Sequence, residues 1–220
     1  MSDVLGTAVL KAYRTWTALF CLFAALFSAT PAQAQVFGTD PDAGLSDADR
    51  NVFFFGGRFH TGSFYISPAV WSLPYEDSYF LGAGYQQFFY RSDWSFQLGA
   101  EIGAAARIGF DGPSSAEVWT GLVFRHDGLA FFDSFRLSPA LTVGFSVVSA
   151  PIGSEADRAA AIGKDVTLLV YLGPELAITP VDNPNIEGFF RVQHRSGAFG
   201  FIMDGMNGSN AATAGIRFKF

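Results

Sequence analysis

The stretch Gly215-Ile216-Arg217-Phe218-Lys219-Phe220 decides the fold. Its apolar residues Ile216, Phe218 and Phe220 alternate with Gly215, Arg217 and Lys219. A repeat of two belongs to the β-strand, where successive side chains point to opposite faces. One face of this strand is wholly apolar and the other basic. In a membrane barrel the apolar face of such a strand turns outward to lipid and the polar face lines the interior.

The same reading extends over most of the chain. From Asn51 onward, runs of period two recur between clusters of Gly, Pro, Asp, Asn and Ser, which is strand and turn chemistry. Eight strands are expected: Val52–His60, Tyr79–Arg91, Trp94–Ile108, Ala116–Arg125, Ser134–Ser149, Asp165–Ile178, Ile186–Ser196 and Ala211–Phe220. Many have about the 9–11 residues of a tilted membrane-crossing strand. An even count fits bacterial barrels, and the terminal aromatic Phe220 on the closing strand resembles the C-terminal signature of outer-membrane barrels. The fold class is therefore all-β, an eight-stranded antiparallel transmembrane β-barrel.

Connection lengths point the same way. Thr61–Ser78, Ala150–Lys164 and Gly197–Asn210 are long, whereas Ser92-Asp93 and Asn183-Pro184-Asn185 are tight turns. Long loops at one end and short turns at the other mark an outer-membrane barrel. The connections from strand 3 to 4 and from 4 to 5 are of similar, intermediate length and depart from that alternation. Trp71, Tyr75, Tyr90, Trp94 and Trp119 fall near strand ends, where aromatic girdles sit. Eight strands leave an interior just wide enough for side chains, which disfavours a diffusion channel. Gln87, Gln97, Glu101, Arg191 and Gln193 are the expected inward polar residues.

Composition agrees. The 220 residues are 50% hydrophobic and 15% charged, with 25 Phe and a mean hydropathy of +0.25. A disordered chain would be less apolar. One Cys excludes a disulfide scaffold. With 14 Lys and Arg against 20 Asp and Glu, nucleic acid is not an expected partner. Part of the hydrophobicity belongs to residues 1–34, read as a signal peptide. Lys11 and Arg14 precede an apolar run from Trp16 to Ala29, and Ala32-Gln33-Ala34 is an A-x-A cleavage site. The only Cys, Cys21, lies inside that run and follows Phe20, where lipidation would require a small residue. Residues 35–50 read as a polar, acidic N-terminal arm, and residues 51–220 as the barrel.

Little catalytic chemistry stands out. There is no Cys pair, H-E-x-x-H or P-loop, so no cofactor and no metal are expected. His60 and His126 are unremarkable strand-end residues. His194 differs, because it lies in Phe189-Phe190-Arg191-Val192-Gln193-His194-Arg195-Ser196-Gly197. Phe190, Val192, His194 and Ser196 share the lipid-facing side, while Arg191, Gln193 and Arg195 point inward. Two polar groups against acyl chains are costly unless they bond each other or perform a function. Their Cα atoms lie roughly 6.5–7 Å apart on a strand, within reach of an imidazole–hydroxyl pair. That pairing is the base and nucleophile of acyl transfer.

From His194 to Phe220 the chain resembles the outer-membrane lipid A 3-O-deacylases, the PagL-type acyloxyacyl hydrolase family. The residues that carry the resemblance are His194-Arg195-Ser196-Gly197 and the closing Asn207-Gly208-Ser209-Asn210 to Phe220. Tyr75-Glu76-Asp77-Ser78-Tyr79-Phe80 is similar but less diagnostic. The resemblance implies an eight-stranded barrel with Ser196 as nucleophile and His194 as general base. It further implies an acidic third member, for which Asp204 is the only acid after His194; Asn207 or Asn210 are the alternatives for orienting the imidazole. The family places Asn after the serine as oxyanion donor. Here Gly197 stands there, so its N–H, Asn207 or Asn210 would take that role. The substrate implied is lipid A in the outer leaflet of a Gram-negative outer membrane. Arg158, Lys164 and Arg195 are the expected phosphate contacts, and a homodimer stays open. Two rival readings remain: a non-catalytic structural or adhesion barrel, and a soluble periplasmic lipid-binding barrel.

Overall fold

Nine antiparallel strands form in the computed structural model, which describes residue 40 and residues 42–110, 112–132, 134–197 and 208–220. They are β1 (Arg50–His60), β2 (Tyr75–Arg91), β3 (Phe96–Gly109), β4 (Ser115–His126), β5 (Leu129–Phe131), β6 (Phe135–Val148), β7 (Leu168–Pro180), β8 (Ile186–Ser196) and β9 (Asn210–Lys219). The eight long strands close on themselves. Each pairs with the next, β4 pairs with β6 across the short β5, and β9 returns to β1. The expected leader, Asp204 and Asn207 lie outside the described residues.

The links sort to the two ends of this ring in turn. The β2–β3, β4–β6 and β7–β8 links and both described chain ends gather at one end. The β1–β2, β3–β4, β6–β7 and β8–β9 links gather at the other. The expected break in the alternation of lengths is present: the β4–β6 link, residues 127–134, sits at the turn end yet is longer than the β3–β4 link at the loop end. The β3–β4 link belongs to the loop end although it spans only residues 110–114. The longer β4–β6 link tightens by pairing β5 back onto β6. Gly128 permits that turn: its φ is +79°, and a Cβ there would collide with the Leu137 carbonyl oxygen.

The alternation of the sequence becomes the two faces of the wall. Outward residues Phe54, Leu81, Ile102, Val118, Leu122, Phe145, Leu168, Ile178, Ile216 and Phe218 form an exposed apolar belt. Exposed aromatics cluster beyond the belt at each end: Tyr65, Trp71, Tyr75, Tyr79 and Phe110 toward the loops, and Tyr90, Trp94, Phe132 and Phe220 toward the turns. Trp119, expected in a girdle, is instead inside. It packs on Phe55, Phe80 and Tyr171, and its indole N–H donates to Glu101 at 2.7 Å. Gln87 is also corrected: it faces outward, and its neighbour Gln86 turns inward and donates to Glu101.

The interior is filled by an aromatic layer and a continuous chain of opposite charges. Arg191 binds Glu101 and Glu175; Arg217 binds Glu175 and Glu187; Arg125 and Lys219 also bind Glu187. Toward the loops, Arg107 and Arg195 hold Glu155 at 2.7 Å each. Burying these ions is costly, and the lattice offsets the cost by giving most of the carboxylates several donors at once. Arg191 and Arg217 also lie over the Phe53 and Phe189 rings.

Both mouths are covered. At the loop end, helix α1 (Gly153–Ile162) lowers Glu155 between Arg107 and Arg195 and ends at Gly163, whose φ of +63° is the left-handed cap. At the turn end the arm crosses the opening. Arg136 donates to the Ala43 carbonyl, Arg91 to the Ser46 carbonyl, and Ser46 to Asn185. Among the described residues no helix is long and apolar enough to cross a membrane; the strands are the elements that present apolar surface.

Candidate active site

On β8 the inward residues are Glu187, Phe189, Arg191, Gln193 and Arg195. His194 and Ser196 therefore face outward, as the alternation requires. Arg195, expected among the loop cations, is instead a lumen residue bonded to Glu155 and to the Val166 and Thr167 carbonyls. Lys164 is exposed just after α1, while Arg158 donates to Ser154 and to the Gly208 carbonyl.

Strand register assembles a polar row across the outer wall. His194 on β8 stands opposite Asn210 on β9, and Asn210 stands opposite His60 on β1. His194 Nδ1 lies 2.6 Å from Asn210 Oδ1, and Asn210 Nδ2 donates to the Gly62 carbonyl at 3.0 Å. Those two bonds set the chemistry of the ring. A carbonyl oxygen accepts only, so the Asn210 amide is oriented with its NH2 toward Gly62 and its oxygen toward His194. Nδ1 of His194 must then carry the proton, which leaves the lone pair on Nε2, the nitrogen a general base uses.

The segment between β1 and β2 roofs this row. Thr61 N–H bonds the Pro74 carbonyl and pinches the base of the segment, which carries two 3-10 turns at Phe64–Ile66 and Val70–Ser72. The Phe64 ring lies 4.4 Å from the His194 ring, and His60 Nε2 is 3.0 Å from Ser67 Oγ. His194 is only 7% exposed as a result, although it stands on the outside of a barrel. Ser196, at the end of β8, is half-buried and stands opposite Val170; Gly197 follows it and is buried.

Of the residues read from sequence, His194, Ser196, Gly197 and Asn210 lie at this end of the wall, with Asn210 in contact with His194. Asp204 and Asn207 lie outside the described residues. His60, unremarkable as a strand-end residue, nevertheless shares the row. The sequence carries a signal for it: Val52, Phe54, Gly56, Arg58 and His60 share one face of β1, and His60 is a polar group ending that face as His194 does on β8. Phe64 and Ser67 have no such signal, because they reach the site through the path of a loop. His126 sits at the opposite end, accepting the Gly128 N–H. Among the described residues no group of His, Cys, Asp and Glu could hold a metal ion.

Directly toward the turn end from the polar row, the outer wall is hollowed. The depression measures about 560 Å³ and is lined by Gly56, Arg58, Tyr79, Phe190, Ala212 and Ala214, with Val70 and Tyr75 at its loop side.

A closed eight-stranded barrel with an apolar outer belt, a charged filled interior and its links sorted to two opposite ends is the architecture of the small outer-membrane barrels. Comparison with solved structures finds that architecture. The structure of the outer membrane enzyme PagL is similar with a TM-score of 0.52 and 12% identity, covering 77% of this chain and 99% of that one. Neisserial surface protein A is similar at a TM-score of 0.47 and 12% identity, covering 79% and 98%. The N-terminal barrel domain of Pseudomonas aeruginosa OprF gives 0.43 and 8%, covering 78% and 96%. At such identities the likeness is one of fold. No protein-family model and no curated protein matches the chain.

Proposed function

We propose that this chain is an outer-membrane serine esterase that removes an ester-linked acyl chain from lipid A. The observation that carries the reading is the bond from His194 Nδ1–H to Asn210 Oδ1, because it frees Nε2 as a base two residues from Ser196 on the outer wall. Ser196 Oγ attacks the ester carbonyl while Nε2 takes its proton. The tetrahedral intermediate collapses as imidazolium returns the proton to the leaving sugar oxygen. Water then attacks the acyl-enzyme by the same base and releases the fatty acid. Asn210 takes the orienting place that an acid fills in Ser-His-Asp enzymes, as Asn does in Cys-His-Asn ones. The Gly197 N–H, next after the nucleophile, is the candidate oxyanion donor.

Placement on the outer wall supports a lipid substrate. Acyl chains of the surrounding leaflet lie against β8 and β9, so the ester needs to enter no pocket through water. The apolar belt and the two aromatic clusters support membrane embedding over a soluble lipid-binding barrel. Residues 1–34 would direct export and be removed. Lys164, just after α1, is an exposed cation at the site's end of the barrel, placed to meet a lipid A phosphate.

The test is lipid A from cells expressing the full chain or its Ser196→Ala variant, compared by mass spectrometry. The proposal expects loss of one acyl mass with the parent chain and none with the variant. An unchanged lipid A with the parent chain sinks it. One observation favours the rival, a non-catalytic barrel: the Phe64 ring covers the His194 imidazole.

A further inference from the structure

This inference rests on the esterase reading and adds the place where the acyl chain lies. Two outward rows follow the His60–Asn210–His194 row along the wall. The first is Val192, Ala212, Arg58 and Tyr79; the second is Phe190, Ala214, Gly56 and Leu81. Ala212, Ala214 and Gly56 are small, and their neighbours in the two rows, Val192, Arg58, Phe190 and Leu81, are large, which makes a trough along β9. Gly56 keeps the floor low: a Cβ there would sit 3.2 Å from the Phe80 carbonyl oxygen and 3.6 Å from the Leu81 side chain. The one charged lining group is drawn aside, since Arg58 donates to the Glu76 carbonyl and to Asp77 at 2.7 Å each and lies over Tyr75 and Tyr79.

The third row ends the trough. Ile216 on β9 stands opposite Phe54 on β1, and the two side chains, 43% and 54% exposed, rise from the wall where alanine and glycine lay before. On β9 the trough is lined from Ala212 to Ala214; from the Asn210 row to Ala214 is four residues, about 13 Å at a strand's rise of about 3.3 Å per residue, and Ser196 stands two residues further toward the loops than His194.

We propose that this trough seats the single acyl chain whose ester carbonyl lies at Ser196, and that Ile216 with Phe54 is the stop that measures its length. Lipid tails are as apolar as the trough, so transfer into it gains little by the hydrophobic effect. Selection must come from shape. A chain that reaches Ile216 and Phe54 has to bend out of the trough or withdraw its carbonyl from Ser196. The rate therefore falls abruptly past one length instead of declining gradually with each methylene.

The test uses the full chain refolded in detergent micelles and p-nitrophenyl esters from acetate to palmitate, with heat-dependent gel mobility confirming the barrel in each variant. The parent chain is expected to lose at least tenfold in kcat/KM beyond one chain length. Ile216→Ala should move that limit to longer esters, and Ala214→Phe should confine hydrolysis to the shortest. An Ile216→Ala profile identical to the parent's overturns the stop. A second arm uses Ser196→Ala protein with diazirine-terminated fatty-acid methyl esters, mapping crosslinks by mass spectrometry. Crosslinks at residues 212–216 that vanish in the Ala214→Phe,Ser196→Ala protein support the trough. Crosslinks spread evenly around the barrel overturn it. If the parent chain hydrolyses no ester yet the crosslinks stay in the trough with a length limit, the esterase reading fails and the chain site stands.

Discussion

Asn210 reaches His194 across one rung of the β8–β9 ladder, its Oδ1 2.6 Å from the imidazole Nδ1. Sixteen residues separate the two in sequence, yet the register makes them neighbours on the outer wall. Their bond fixes the imidazole's orientation and its tautomer, but it offers no negative charge to an imidazolium.

That difference predicts how the third position responds to substitution. Asn210→Asp keeps an acceptor on Nδ1 and adds charge, which strengthens that bond, but it removes the Nδ2 donor and sets a carboxylate oxygen against the Gly62 carbonyl. About 1.4 kcal/mol of added stabilisation is tenfold in rate. Gain and loss are of similar size, so Asn210→Asp is expected to keep kcat on a p-nitrophenyl ester within about tenfold of the parent, and Asn210→Ala to lower it by tenfold or more. Equal rates for all three proteins would remove Asn210 from the reaction.

Phe64 shields the imidazole, so its removal should show in chemical reactivity. In Phe64→Ala, diethylpyrocarbonate should modify His194 several-fold faster than in the parent chain, read by peptide mass spectrometry. His126, at the far end of the barrel, serves as the internal reference and should keep its rate.

The lumen network predicts a large cost for removing one ion. Arg191 is bonded to Glu101 and Glu175, both fully buried. Arg191→Met leaves those carboxylates short of a partner, a change that typically costs about 3–5 kcal/mol. Urea unfolding followed by tryptophan fluorescence in lipid vesicles should report a loss of that size; a change below about 1 kcal/mol would mean the network relaxes freely.

Embedding in a bilayer predicts a depth dependence. Ile102 is outward at the middle of β3, and Phe110 is outward in the aromatic cluster at its loop end. An arginine at the midplane costs about 2–4 kcal/mol, and one near the interface about 0–1. Ile102→Arg should therefore destabilise the refolded barrel several-fold more than Phe110→Arg, measured by the same urea titration. A soluble barrel would tolerate both alike.

Much of the wall is legible in the order of its residues. Each of the eight long strands lies within a few residues of its sequence-based position, and Arg191, Gln193, Arg195 and Arg217 turn inward as alternation requires. The misplacements are instructive. Gln87 and Gln86 are adjacent, so an error of one residue reverses the face. Trp119 matches a girdle by type and position, but its place in the alternation of β4 puts it inside, where Glu101 accepts its N–H.

By itself, then, the sequence determined which residues form strands and which face each one shows, because a pleated strand separates odd from even positions and a barrel wall has two different surroundings. It also singled out His194 and Ser196 as polar groups on an apolar face. The tertiary structure alone decided what stands beside them. Asn210 and His60 enter the row through the stagger between strands, and Phe64 and Ser67 through the path of a loop. Alternation is a property of one strand, whereas a partner across the ladder depends on the register of two, and no period within either strand encodes that offset.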